Sequence, residues 1–104
     1  MYLVIFSANI SLIFMQKRIE VQFIGNVQGV GFRYAINSIA RQFAVFGQIK
    51  NLANRNVELI AEGEESELKS FLQEIRNEME DYIRNEQASW PDPIGNFSDF
   101  RIVF

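Results

Sequence analysis

The sequence predicts an α+β domain, a ferredoxin-like α/β sandwich of order βαββαβ, with two helices on one face of an antiparallel sheet. Three observations carry this. Apolar residues alternate with polar ones at Ile19, Val21 and Phe23, at Val57, Leu59 and Ala61, and at Phe100, Ile102 and Phe104, which is the period of half-buried strands. Apolar residues recur at helical spacing at Phe32, Ala35, Ile36, Ile39, Ala40 and Phe43, and again at Leu68, Phe71, Leu72, Ile75 and Met79. Each strand then has one apolar face and each helix one apolar stripe. Laying both helices on one face of the sheet buries all of them at once.

The elements follow in order. Residues 18–24 form the first strand, with Glu20 and Gln22 on its polar face. Gly25 to Gly31 is a glycine-punctuated loop, and the first helix runs from Phe32 to Phe43. Phe46 to Leu52 reads as the second strand, Asn54-Arg55 as a tight turn, and the third strand begins at Val57. The first and third strands are expected as central neighbours. Glu64, Glu65 and Glu67 suit the first turn of the second helix, where carboxylates complement the dipole. Tyr82 to Ala88 alternates poorly and is a weak strand. Residues 89–97, with Pro91 and Pro93, form a loop before the last strand.

The length of 104 residues fits one domain. Hydrophobic residues at 48% are too many for a disordered chain. There is no cysteine and no histidine, which excludes a disulfide framework, a thiol nucleophile and a thiolate metal site. It also removes the commonest general base and metal ligand. Any chemistry falls to carboxylates, amides, hydroxyls, backbone groups and Lys or Arg. The net charge of −3 hides an uneven split. Residues 17–55 hold six basic side chains and one acid, whereas residues 56–104 hold four and twelve. A positive first half suggests that an anion is handled there.

Residues 1–16, MYLVIFSANISLIFMQ, carry no charged side chain and are interrupted by Ser7, Asn9 and Ser11. The stretch is short of the roughly 18 apolar residues of a membrane span. Lys17 and Arg18 follow the apolar stretch, whereas a signal peptide has its charges in front. Two readings remain. Initiation at Met15 would leave 90 residues, and this is the reading favoured. Otherwise the segment is a real extension, an added strand or an association surface. The domain proper runs from 17 to 104.

The segment Gly25-Asn26-Val27-Gln28-Gly29-Val30-Gly31-Phe32-Arg33 joins a strand to a helix start. Its glycines let the backbone curl closely round a ligand. Successive amide N–H groups can converge there on one anion, beside the positive end of the helix dipole. Arg33 in the first turn opposes that dipole by about 0.3–1 kcal/mol. An anion between loop and guanidinium reverses the penalty, and the planar fork of donors suits two phosphate oxygens. Glycine spacing alone fits equally a plain strand-to-helix turn with Arg33 in solvent. Neither a Walker A loop nor a dinucleotide fingerprint is present.

GNVQGVGFR resembles the signature of the acylphosphatase family, G-x-V-Q-G-V-x-F-R, at every fixed position. The family's G-x-V-x-N element resembles Gly47-Gln48-Ile49-Lys50-Asn51, with Ile49 a mild replacement. The segment Val57 to Gly63 and the ending Phe100-Arg101-Ile102 also look like the family, so the resemblance covers residues 18 to 104. It implies hydrolysis of acylphosphates to a carboxylate and inorganic phosphate. It further implies that the amides of Val27, Gln28, Gly29 and Val30, with Arg33, hold the phosphoryl group while Asn51 orients the attacking water. No metal, cofactor or covalent intermediate is implied. The resemblance points to a small cytoplasmic monomer whose partner is a small-molecule acylphosphate, with neither nucleic acid nor membrane. As the alternative to this leading reading, it also supports a weakly catalytic or non-catalytic module that binds phosphate or carbamoyl phosphate, since similar domains occur within carbamoyl-transfer proteins.

On residue type alone, Asn51 could instead cap a strand end, and Gln28 could hold loop backbone. The family often has glycine where Arg55 and Ala44 stand, so a left-handed backbone at either position would be strained. The family's common aromatic is replaced by Gln48. Residues 77–98 align poorly and carry no functional assignment. RNA binding, frequent on ferredoxin-like sheets, fits badly with an acidic chain lacking a pair of exposed aromatic strand motifs.

Overall fold

The computed structural model describes residues 16–104. The expectation of a start at Met15, or of an extension before it, lies outside the described residues. The elements are β1 (Gln16–Gly25), α1 (Phe32–Ala40), β2 (Val45–Asn51), β3 (Val57–Glu64), α2 (Glu65–Glu78), β4 (Ile83–Ser89) and β5 (Phe100–Val103). The sheet order is β4-β1-β3-β2-β5. β1 and β3 are neighbours as expected, antiparallel, with Ile19, Val21 and Phe23 opposite Ala61, Leu59 and Val57. These six side chains point to one face and are almost fully buried beneath the helices. Phe32, Ile36 and Ile39 of α1 and Leu68, Phe71 and Ile75 of α2 close the same core. None of the described helices is long and apolar enough to cross a membrane.

The sheet is mixed. β1–β3, β1–β4 and β2–β3 are antiparallel, but β5 runs parallel to β2. Alternation reports which face a residue takes and carries no direction, so this pairing could not be read from the pattern. α1 ends at Ala40, earlier than the apolar spacing suggested. Three tight i→i−3 bonds, from Arg41, Gln42 and Phe43, unwind its last turn. Phe43 still packs on the core. Ala44 keeps a negative φ, and its N–H donates to Glu67 Oε1 at 2.8 Å, so the strain expected there is absent.

Arg55 differs. Its φ of 74° is the one left-handed non-glycine backbone among the described residues. Arg55 N–H donates to Leu52 O at 3.2 Å and Leu52 N–H to Asn56 O at 2.9 Å. This is a three-residue hairpin turn closed by a left-handed residue, a position that favours glycine.

Because β4 and β5 lie at opposite edges, residues 90–99 must cross β1, β3 and β2 on the face away from the helices. Glu62, on β3, anchors the crossing. Its carboxylate accepts the N–H of Ile94 at 2.8 Å and of Gly95 at 2.9 Å. It also pairs with Arg18 at 2.8 Å, both side chains being less than a tenth exposed. The ring of Phe97 lies 5.6 Å from the Arg18 guanidinium. Burial pushes the Glu62 carboxyl up, but the Ile94 N–H, Arg18 and the Gly95 N–H outweigh it and hold it below the usual range.

Two outcomes follow. Arg55→Gly should raise stability in urea unfolding by about 1 kcal/mol, the cost of a left-handed L-residue less the entropy of glycine. Glu62→Gln should destabilise at neutral pH, by less than the about 3–5 kcal/mol of a fully broken buried pair, because Arg18 keeps Glu20 at 2.8 Å. A depressed folded-state value gives stability that is complete above about pH 4.3, the ordinary glutamate value, and lost as pH falls further. The gap between wild type and Glu62→Gln should therefore narrow below about pH 4.

Candidate active site

The loop between β1 and α1 is fixed from both ends. Phe23 at the end of β1 and Phe32 at the start of α1 meet edge to face, with ring centroids 5.5 Å apart, and both are fully buried. Val27 drops its side chain into the core from the middle of the loop. At the loop's entry the Asn26 N–H donates to Tyr82 O at 3.0 Å. A Cβ on Gly25 would lie 2.3 Å from that same oxygen, so only glycine lets β1 and Tyr82 approach.

Gln28 supplies the third restraint. Its side-chain NH₂ donates to the carbonyls of Leu52 and Asn56, both at 2.9 Å. Asn56 in turn donates from Nδ2 to Gln22 Oε1 at 3.0 Å. The Gln28 side chain is thus occupied in bracing the loop to the β2–β3 turn, and only its backbone amide remains to meet a ligand.

Beyond Gln28 the backbone alternates in hand. Gly29 and Gly31 have φ of 78° and 76°, while Gln28 and Val30 keep negative φ. Such alternation turns successive N–H groups towards one side as an anion-binding nest. No described residue accepts a hydrogen bond from the amides of Val27 to Gly31. Gly31 is also the N-cap of α1 and provides no side-chain cap, and the first turn holds no acid. The positive end of the helix is therefore unopposed there. Arg33, half-buried in that first turn, makes no ion pair with any described carboxylate. Its guanidinium lies 5.0 Å from the centroid of the Phe104 ring.

Asn51 closes β2, opposite Val57 and one residue before Leu52. It follows the step of Val45, Gly47 and Ile49, which face the helices. Its Oδ1 is buried and has no hydrogen-bond partner among the described residues. A buried carboxamide oxygen without a partner is costly unless water or ligand completes it. The parallel register pairs Lys50 with Val103. Phe104 follows Val103 and its ring lies by Arg33, so the ends of β2 and β5 and the first turn of α1 share one end of the sandwich.

Val27, Gln28, Gly29, Val30, Arg33 and Asn51 thus gather at one end, around two loops joined by Gln28. Two residues that the sequence reading did not single out belong to this region. Phe104 is one. Asn37 is the other, one turn along α1 from Arg33, with a second buried Oδ1 lacking a described partner. Its i+4 spacing from Arg33 was the available signal. A cleft on the open face of the sheet, at Glu20, Gln22, Gln87 and Ser89, lies apart from these residues. Another, at Gly25, Asn26, Arg55 and Arg84, borders the loop but is lined by neither Arg33 nor Asn51. The acidic run Glu62 to Glu67 splits between the buried Arg18 pair and the first turn of α2.

A nest of amides without described acceptors, beside an arginine with no described ion pair, is an α/β-sandwich arrangement that can hold an anion. Comparison with known proteins narrows this. The acylphosphatase family model matches residues 19–102. An acylphosphatase of Caldanaerobacter subterraneus subsp. tengcongensis is 33% identical over 89 residues, covering 85% of this chain and 99% of that protein. The crystal structure of the acylphosphatase from Bacillus subtilis superposes with a TM-score of 0.76 at 28% identity, over 85% of this chain and 99% of that one. Full-length HypF, in a phosphate- and nucleotide-bound crystal structure, matches with a TM-score of 0.73 at 25% identity, over 86% of this chain but 12% of HypF. The chain belongs to the acylphosphatase family. It is a hydrolase that cleaves the carboxyl–phosphate bond of acylphosphates.

Gln28→Leu removes both braces while keeping the side chain's bulk. Stability should fall by about 1–3 kcal/mol, the net worth of two such hydrogen bonds, measured by urea unfolding with far-UV circular dichroism confirming the native fold.

Proposed function

We propose that Arg33 and the amides of Val27, Gln28, Gly29 and Val30 hold the phosphoryl group, and that Asn51 aims the attacking water. The observation that carries this is the orphaned Asn51 Oδ1 at the end where the braced loop meets β2. A carboxamide can accept a hydrogen bond from water at Oδ1 and donate from Nδ2, so it orients solvent without ionising. It takes up no proton at neutral pH. The water oxygen forms a bond to phosphorus, the bond from phosphorus to the acyl oxygen breaks, and that oxygen leaves as carboxylate. The water's proton passes to an oxygen of the phosphoryl group itself, giving inorganic phosphate.

This division of labour suits the reaction. A carboxylate is a good leaving group and needs little acid catalysis. Phosphoryl transfer is served by positioning and by donors aimed at the developing charge. Fixed amides and one guanidinium supply those donors with little reorganisation during the reaction. Neither a metal nor a covalent enzyme intermediate enters the scheme. The setting we propose is a cytoplasmic monomer acting on small-molecule acylphosphates, in line with the family. The alternative, a module that holds phosphate or carbamoyl phosphate with little turnover, draws on the likeness to a small part of HypF.

Release of phosphate from acetyl phosphate should proceed in the presence of a chelator. Arg33→Ala and Asn51→Ala should each lower kcat/KM by about 10²–10³, the usual loss of one preorganised transition-state donor. Full activity in both variants removes the assignment. Phosphate binding without any hydrolysis by the wild type favours the module.

A further inference from the structure

We propose that the cleft beside the β1–α1 loop is a second anion subsite, in which Arg55 and Arg84 hold a carboxylate carried at the far end of the substrate's acyl chain. The inference rests on the acylphosphate-hydrolysing reading given above and narrows its substrate class to acylphosphates whose acyl part bears a charge of its own.

Two departures from regular backbone bring these arginines to one place. Arg55 stands at a φ of 74°, a left-handed state that is unfavourable for an L-residue and open to glycine. Arg84 is the extra residue of a β-bulge. Ile24 faces Asn85 and Gly25 faces Ile83, which leaves Arg84 without a partner on β1. Such bulges re-aim a side chain away from the regular ladder. Gly25 permits this one, because a Cβ there would lie 2.8 Å from the Arg84 nitrogen. Both arginines line a single cleft of about 700 Å³, together with Gly25, Asn26, Asn56 and Asp81. A strained backbone state kept by a charged residue at a cleft points to a use for that residue.

The charge and place of the cleft select its guest. Arg18, Arg76 and Arg101 each pair with a carboxylate, whereas Arg55 and Arg84 pair with no described one. Both are exposed. Asp81 is the one acid among the described lining residues, and it too has no described ion pair. Two guanidiniums and one carboxylate leave a single positive charge, which matches a carboxylate better than a doubly charged phosphate. Arginine also offers a carboxylate two parallel N–H donors. Asn26, which lines the cleft, precedes Val27 of the nest by one residue, about 3.8 Å of chain. Asn56, on the other wall, accepts the Gln28 brace through its carbonyl, so one bond fixes both the loop and the cleft. A phosphoryl group in the loop then has the cleft beside it, within reach of an acyl chain of several carbons.

The test reads kcat/KM at low salt for acetyl, hexanoyl and adipoyl phosphate. The last two have acyl chains of equal length and differ in the terminal carboxylate, so their ratio isolates charge. Wild type should favour adipoyl over hexanoyl phosphate. Arg55→Gly and Arg84→Gln should each lower that ratio by about two- to fivefold, the worth of an exposed ion pair, and Asp81→Asn should raise it. Arg55→Gly relieves backbone strain, so its loss of preference cannot come from unfolding. High salt should bring the wild-type ratio down to that of the double variant. Equal kcat/KM for adipoyl and hexanoyl phosphate in wild type overturns the subsite, and so does an equal fall of the ratio in Arg41→Gln, whose charge lies outside the cleft. Hydrolysis of acetyl phosphate beside either of those results leaves the enzymatic reading in place. A wild type that hydrolyses none of the three overturns the enzymatic reading. Dissociation constants by calorimetry that keep the same order among the variants would then support the cleft, and equal ones would overturn it as well.

Discussion

The side-chain amide of Gln28 is the constraint on which the site depends. It joins two loops that lie 24 and 28 residues apart in sequence, by donating to Leu52 and Asn56. Without it the glycine-rich backbone would be held only at its ends, by Phe23 against Phe32 and by the Asn26 N–H on Tyr82. Two left-handed glycines give that backbone its shape and also its freedom to lose it. A nest binds an anion well only if its N–H groups are already aimed before the anion arrives. Gln28 and the buried Val27 fix that aim and set it relative to the end of β2, where Asn51 stands.

Two types of support therefore meet at one end of the sandwich. Backbone amides are positioned by apolar packing and by a neutral amide bridge. The guanidinium is positioned against an aromatic face. Neither device uses a side-chain carboxylate. The acidic side chains of the chain's second half are used elsewhere, at Glu62 beneath the crossing segment and at Glu65 and Glu67 in the first turn of α2. The separation is incomplete, because Asp81 lines the cleft that borders the loop beside Gly25 and Asn26, together with Arg55 and Arg84.

Much of this was legible in the residues. Alternation at Ile19, Val21 and Phe23 and at Val57, Leu59 and Ala61 identified β1 and β3 with the correct inward faces, because each strand has one buried side. The glycine loop was legible through the match of GNVQGVGFR to the family signature, since glycine spacing alone fits a plain strand-to-helix turn equally well. Three features were not. The parallel direction of β5 depends on how residues 90–99 cross the sheet, and alternation is blind to direction. The role of Gln28 depends on a partner in another loop, which its own neighbours do not reveal. Phe104 read as one more inward strand residue, and only the register that places it over Arg33 distinguishes it from Phe100. The suspected strain was real at Arg55 but absent at Ala44, since the tight turns after Ala40 complete the helix end without a left-handed residue.

The direction of β1 has a consequence for how such a domain can be built into larger proteins. Gly25 opens the phosphoryl loop, and Gln16 lies at the opposite pole of the same ten-residue strand, a separation of about 30 Å. Polypeptide fused ahead of Gln16 is thereby attached far from the mouth of the cradle. Whatever is joined there enters the fold at the pole of the sheet away from the β1–α1 loop.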